Sequence, residues 1–373
     1  MIDTIKLAIT YDEHPTWLKR LQSKDVFDLA TGTLKNIINP SAAMKKMGVI
    51  MPNVTYKPRP TAGGRTHDLL IQVSLPKLLY GNNFREVSDA DFEDICKKLA
   101  ASLNAAGIPI SVEQIQAADV RKIDFCKNII FDDYTSISSI TKDLRTADIS
   151  RRSDNQQTNF RNGGHIYHIM HTNSLDVALY DKVADLKQGK ISEHRAYEDK
   201  NYVQSKLLDA FAIKKSLSVA RFEVRLNSKA KIRLELAKHG ILTPDTTFRS
   251  LYQSAIVKKV LIHYWQSILS RVPKSPLDTD APEKLLSEIL KAEKITPQLA
   301  FAQLGYLLCI PDNDNRYMRN LIEQRFGKHA WLRLKHLRPP LLNRSRLKNL
   351  LAITSTIQLM QPIDIRQLDF SDC

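Results

Sequence analysis

Cysteine is scarce in this chain of 373 residues, and the four present, Cys96, Cys126, Cys309 and Cys373, show no CxxC spacing. That scatter argues against a disulfide framework and a cysteine zinc site, and it implies reduced thiols. Apolar runs are short: nothing approaches the roughly eighteen residues of a membrane span. The opening MIDTIKLAITYDEH lacks the basic start, apolar centre and small-residue cleavage site of a signal peptide, so a cytoplasmic location is expected. There is no GxxxxGK[ST] loop for nucleotide phosphates. Nor does any strand carry the aromatic pairs that an RNA-stacking platform needs.

Negative charge is also in deficit. Lys and Arg total 55 against 40 Asp and Glu, a net charge of +15. Residues 228–373 hold 23 basic and 13 acidic residues, a large share of that excess. Such a balance favours a polyanionic partner, and nucleic acid fits better than a membrane surface because no basic amphipathic anchor stands out.

Periodicity divides the chain. Ile2–Tyr11 and His67–Val73 read as strands, with the Pro- and Gly-bearing 51–66 between them read as a polar loop. Ser88 and Asp91 form a capping pair for a helix carrying Phe92, Ile95, Leu99 and Leu103 at helical spacing as far as Gly107. A strand at 120–131, a helix at Ser136–Leu144 and a basic loop at 145–164 follow. Gly164–His171 and Leu175–Asp181 read as a hairpin across Thr172–Asn173–Ser174, with a charged helix at Lys200–Ile213 next. Ser218–Leu226 alternates strictly. Beyond it helical patterns dominate, at 248–270, 282–293, 297–309, 315–326 and 328–337. The expectation is an α+β fold, a mostly antiparallel sheet covered by helices, followed by an all-helical region. The expected division is an α+β domain over 1–240 and a basic helical domain over 241–373.

Alternation places Lys122 and Asp124 on one strand face, Tyr180 and Lys182 on a second, and Arg221 and Glu223 on a third. Their apolar neighbours Ile123, Phe125, Val177, Leu179, Phe222 and Val224 point the other way, so one open, charged sheet face is expected. Such a face suits phosphoryl chemistry. Asp124 and Glu223 are candidate ligands for Mg²⁺ or Mn²⁺, and Tyr180 beside Lys182 is a candidate nucleophile. The same alternation equally describes an ordinary half-exposed sheet. Tyr167, Tyr197 and Tyr202 compete for the nucleophile's place. His165, His168 and His171 recur every third residue, and on an unbroken strand His168 faces away from the other two. Arg151, Arg152 and Arg161 in the basic loop, with Lys122, Arg221, Arg333 and Lys335, are candidate phosphate contacts.

The segments MIDTIKLAI, SLPKLLYGNNF, VRKIDFCKN, SLDVALYDKVADL and VARFEVRL, with IQLMQPIDIRQLDFSDC at the end, resemble in order and spacing the filamentous-phage gene II replication proteins. The resemblance spans nearly the whole chain. It implies a site-specific DNA nickase that starts rolling-circle replication and later rejoins the displaced strand, with Tyr180 as nicking residue and Asp124 and Glu223 at the acidic strand positions. It also implies double- and single-stranded origin DNA as substrates, and a host polymerase and helicase as partners. Two histidines separated by one bulky residue, frequent in relaxase-like nucleases, are absent. The rival expectation is a non-catalytic, sequence-specific DNA-binding regulator.

Overall fold

The structure is a computed structural model that describes residues 1–20, 24–28, 33–38, 51–61, 64–131, 137, 140–141, 144, 166–189, 218–241, 245–271, 282–290, 295–309, 322–327, 329–333 and 344–363. Among the described residues, nine strands form one sheet: β1 (Ile2–Tyr11), β2 (Lys24–Asp28), β3 (Thr33–Ile38), β4 (Asn53–Thr61), β5 (Gly64–Ser74), β6 (Asp119–Phe131), β7 (Ile166–His171), β8 (Leu175–Asp181) and β9 (Ser218–Leu226). Their spatial order is β2-β3-β4-β5-β1-β6-β9-β8-β7, and neighbours run antiparallel throughout. With the helices, this makes the fold α+β.

The helices among the described residues are α1 (Leu75–Tyr80), α2 (Phe92–Ala105), α3 (Val112–Ala117), α4 (Lys182–Gly189), α5 (Lys229–Lys238), α6 (Phe248–Leu251), α7 (Ser254–Leu269), α8 (Pro282–Leu290), α9 (Pro297–Cys309), α10 (Ala330–Arg333) and α11 (Arg344–Leu359). Among the described residues, none is long and apolar enough to cross a membrane.

The expected spacing fixes α2: Phe92, Ile95, Leu99 and Leu103 are all buried, as are Cys96 and Ala100. Its lead-in is held by Asp91, whose Oδ2 accepts from the Ser88 backbone N–H at 2.6 Å and the Ser88 hydroxyl at 2.8 Å. Gly107 follows with φ of 81°, a left-handed value that glycine adopts without the cost a Cβ imposes.

One apolar face carries the core. Ile5 and Leu7 of β1, Ile123 and Phe125 of β6, Val177 and Leu179 of β8, and Phe222 and Val224 of β9 share one buried cluster with α2 and α5, and with Trp265 of α7 and Ile353 of α11. Phe222 meets Trp265 edge to face at 5.4 Å between ring centres. That cluster holds residues from both sides of position 240. The described elements after Gly240 are helices, and a smaller cluster of Ile289, Ala300 and Leu304 joins α8 to α9.

Residues 51–66 are not a loop: β4 and β5 fill nearly all of that segment as a hairpin. Its prolines mislead, because pairing of β4 with β3 ends at Tyr56, so Pro58 and Pro60 fall where no ladder bond to β3 is needed. Val54 and Tyr56 still alternate into the core. The expected helices at Ser136–Leu144 and Lys200–Ile213, and the basic loop, lie wholly or mostly outside the described residues.

Candidate functional site

Antiparallel register aligns side chains of three adjacent strands in rows on the face opposite Phe222. Asn128, Arg221 and Tyr180 form one row; Cys126, Glu223 and Ala178 the next; Asp124, Arg225 and Asp176 the third. Directly opposed residues of an antiparallel pair share a face, so Tyr180, Arg221, Glu223 and Asp124 do come together.

The Tyr180 hydroxyl donates to Glu223 Oε1 at 2.6 Å. The other carboxylate oxygen accepts from Arg225, whose Nε lies at 2.8 Å and whose Nη2 also contacts it. Arg225 reaches on to Asp176 Oδ2 at 2.9 Å. Arg221 sits on the other side of Glu223, with Nη1 3.7 Å from Oε1 and 3.3 Å from Asp3 Oδ1, while its Nε donates to Asn128 Oδ1 at 2.7 Å. Four carboxylates, Asp3, Asp124, Asp176 and Glu223, thus interleave with four cations, Lys122, Lys182, Arg221 and Arg225.

The face is not open here. Tyr180 is 4% exposed, Glu223 2% and Arg221 1%. Part of the cover is the segment after α1: Arg221 Nη2 donates to the Asn83 carbonyl, and Asn128 Nδ2 donates to the Phe84 carbonyl at 2.8 Å. Burial has electrostatic consequences. Desolvation, reinforced by Glu223, raises the Tyr180 phenol well above its ordinary pKa, so the phenol is neutral and acts as a donor. Asp124 is pushed up to about 7, chiefly by desolvation, against the opposing pull of Lys122 and Arg225. One Asp124 oxygen lies 3.5 Å from Lys122 Nζ; the other is buried and has no partner among the described residues.

Lys182 differs from expectation. β8 ends at Asp181, whose carboxylate accepts from the Ala184 N–H at 2.9 Å, and Lys182 is the first residue of α4. Its Nζ still lies 5.7 Å from the centre of the Tyr180 ring and 3.4 Å from Asp185. Burial and Arg221 lower its pKa to about 8.

A divalent ion shared by Asp124 and Glu223 does not fit this arrangement, because both Glu223 oxygens are engaged by Tyr180 and Arg225. The unpartnered Asp124 oxygen does fit a cation ligand. On the same face, toward β4, a cavity of about 510 Å³ is lined by Lys6, Lys57, Arg59, Arg121 and Lys122, with Asp68 as its acidic residue. Lys6, Lys57, Arg59 and Arg121 escaped the sequence reading, as did Asp3 and Asp176. Arg225 stood in the strict alternation of Ser218–Leu226, beside Arg221 and Glu223.

A register shift between His168 and Met170 pairs His168 with Ala178 and His171 with Asp176, the same alternate set of β8, where unbroken alternation separates them. Arg333 ends α10, with its side chain outside the described set. His165, Tyr197, Tyr202, Arg151, Arg152, Arg161 and Lys335 also lie outside the described residues.

No protein-family model, curated protein or solved structure matches the chain.

Proposed function

We propose that this chain is a DNA-nicking replication initiator of the filamentous-phage gene II type, acting in a host cytoplasm with Tyr180 as nucleophile. The observation that carries the reading is the 2.6 Å hydrogen bond from a buried tyrosine hydroxyl to a carboxylate flanked by two arginines. A nucleophile bonded to a base that is itself oriented by a third group is the arrangement covalent catalysis needs. As the Tyr180 oxygen bonds to phosphorus, the phenol proton passes to Glu223, the bond to the 3′-oxygen breaks, and Lys182 protonates that oxygen. The products are a 5′-phosphotyrosyl link and a free 3′-OH. Arg221 and Lys182 stabilise charge on the phosphate. A Mg²⁺ or Mn²⁺ ion on Asp124 and the substrate phosphate would neutralise further charge. The ester conserves the broken bond's energy, so the displaced strand is rejoined by the reverse step without a nucleotide cofactor. A host helicase unwinds, and a host polymerase extends the 3′ end.

The basic cavity supports the reading, since Lys57, Arg59, Arg121 and Lys122 line a path on the face that carries Tyr180. It fits the phosphate backbone of double- or single-stranded origin DNA. One observation favours the second reading, a DNA-binding regulator without catalysis: at 4% exposure, Tyr180 must be uncovered before a phosphate reaches it.

Nicking of supercoiled origin DNA with Mg²⁺ or Mn²⁺ separates them. Wild type is expected to nick and to carry label on Tyr180, and Tyr180→Phe is expected to be inactive. Wild type that binds the origin without nicking supports the regulator instead. Under either reading, Lys57→Ala and Arg59→Ala should each weaken DNA binding and reduce the log–log salt slope by about 1.

A further inference from the structure

We infer that Glu235, His239 and His263 form a binding site for one transition-metal ion of the zinc class, on the sheet face opposite Tyr180. The inference is independent of the nickase reading. α5 is anchored by Ile232 and Leu236 in the main core, and α7 by Val260, Leu261, Tyr264 and Trp265 in the same cluster. Glu235 and His239 are four residues apart on α5 and its C-cap, so helical geometry puts them on one side. His263 comes from α7, and its ring stands edge to face with that of His239 at 4.8 Å between centres.

One donor atom from each of the three residues lies within 4.8 Å of the other two. Tetrahedral zinc with bonds of 2.0–2.1 Å spaces its ligand atoms about 3.3 Å apart, so modest side-chain rotation closes the set. His263 is exposed and has room to make that rotation.

Two orphaned atoms point to a ligand. Glu235 is fully buried; its Oε1 accepts from Lys231 at 2.7 Å and Lys238 at 2.9 Å, yet Oε2 has no hydrogen-bond partner among the described residues. His239 Nε2 is likewise buried without a partner among them. The Tyr264 hydroxyl approaches the same carboxylate. A buried carboxylate oxygen and imidazole nitrogen left unsatisfied are costly, and a single cation satisfies both.

Two imidazole nitrogens and one carboxylate oxygen select zinc, cobalt or nickel over magnesium or calcium, which take oxygen ligands. Three protein ligands leave a fourth position for water. Lys231, Lys238 and Lys259 add positive charge beside the site, so affinity falls below that of a thiolate-rich structural zinc centre. Bound metal ties α5 to α7.

The test uses the full chain, stripped with chelator and dialysed, then titrated calorimetrically with Zn²⁺ and by absorbance with Co²⁺. One equivalent is expected to bind, Co²⁺ to give a tetrahedral spectrum, and Zn²⁺ to raise Tm. His263→Ala removes an exposed side chain and should leave metal-free urea unfolding unchanged. It should weaken Zn²⁺ by at least about tenfold, the low end of what losing an outer-shell partner alone costs. His239→Ala should do the same. Absence of Zn²⁺ binding by wild type overturns the inference. So does wild-type affinity in both variants, which places the metal elsewhere.

Discussion

The hydrogen bond between Tyr180 and Glu223 makes a double-mutant cycle the sharpest test of the site. Tyr180→Phe keeps the ring and removes a donor 2.6 Å from a buried carboxylate oxygen. A hydrogen bond to a charged group contributes about 1.5–3 kcal/mol, so the variant should lose that much stability. Glu223→Gln neutralises the acid that Arg225 and Arg221 face from two sides. Removing one partner of a buried ion pair costs about 3–5 kcal/mol. In the Glu223→Gln background the tyrosine bonds a neutral amide, a bond contributing about 0.5–1.5 kcal/mol. Tyr180→Phe should therefore cost about 1 kcal/mol less there than in wild type, well outside the roughly 0.3–0.5 kcal/mol scatter of independent sites. Urea unfolding at one pH, with coincident fluorescence and circular dichroism transitions and a common m-value, reads both legs of the cycle. Additive losses would refute the claim that Glu223 holds the phenol, and with it the assignment of Glu223 as base.

Two further perturbations probe the electrostatics around that bond. Asp124 has a folded pKa of about 7 against 3.8 as its ordinary value. The native state therefore binds the extra proton between these pH values, and stability falls as pH rises through that window. In chelator-treated protein, Asp124→Asn should remove the fall: its advantage over wild type should grow by about 2–3 kcal/mol between pH 5 and pH 8. A pH-independent difference would show that the acid is ionised in the fold. Glu86 Oε1 accepts the Asn128 N–H at 2.6 Å, and Oε2 accepts Lys127 Nζ at 2.5 Å and the Ile363 N–H at 3.2 Å. Glu86→Gln should cost about 3–5 kcal/mol, because it leaves Lys127 buried without its counterion. Hydrogen exchange at the Ile363 amide should accelerate more than at the Leu99 amide of α2, and equal acceleration would mean the pair does not hold the C-terminal segment.

Much of the sheet is legible because alternation and burial agree. β9 shows its two faces in the residue types themselves, and the polar positions predicted for β6, β8 and β9 share a face because register is a period-two property. The reading failed where local chemistry breaks the period. Carried one step past Asp181, the alternation puts Lys182 on the strand, but Asp181 bonds the Ala184 N–H and a helix starts. A bulge in β7 moves His168 and His171 into one set. Pro58 and Pro60 hid β4, although the edge they occupy tolerates them. β2 and β3 went unread, with only five and six residues each. Glu235 and His239 show helical spacing in the sequence, but their partner His263 depends on how α5 meets α7.

Alternation reports which face a residue takes and nothing about what lies over it. The cover on Arg221 comes from Asn83, 138 residues earlier in the chain, and no local pattern couples the two. Yet burial is the first cause of the Tyr180 shift, the Asp124 shift and the Lys182 shift alike. The chemistry of this face is therefore a property of its closure. With Asp3, Asp124, Asp176 and Glu223 already set against Lys122, Lys182, Arg221 and Arg225, an entering phosphate must take over an arginine or lysine from one of the carboxylates. If it takes Arg225, Glu223 loses the cation that holds one of its oxygens while the other oxygen is still bonded to the Tyr180 hydroxyl. Under the nickase reading, substrate entry then rearranges the ion pairs that hold the nucleophile's own hydrogen-bond partner.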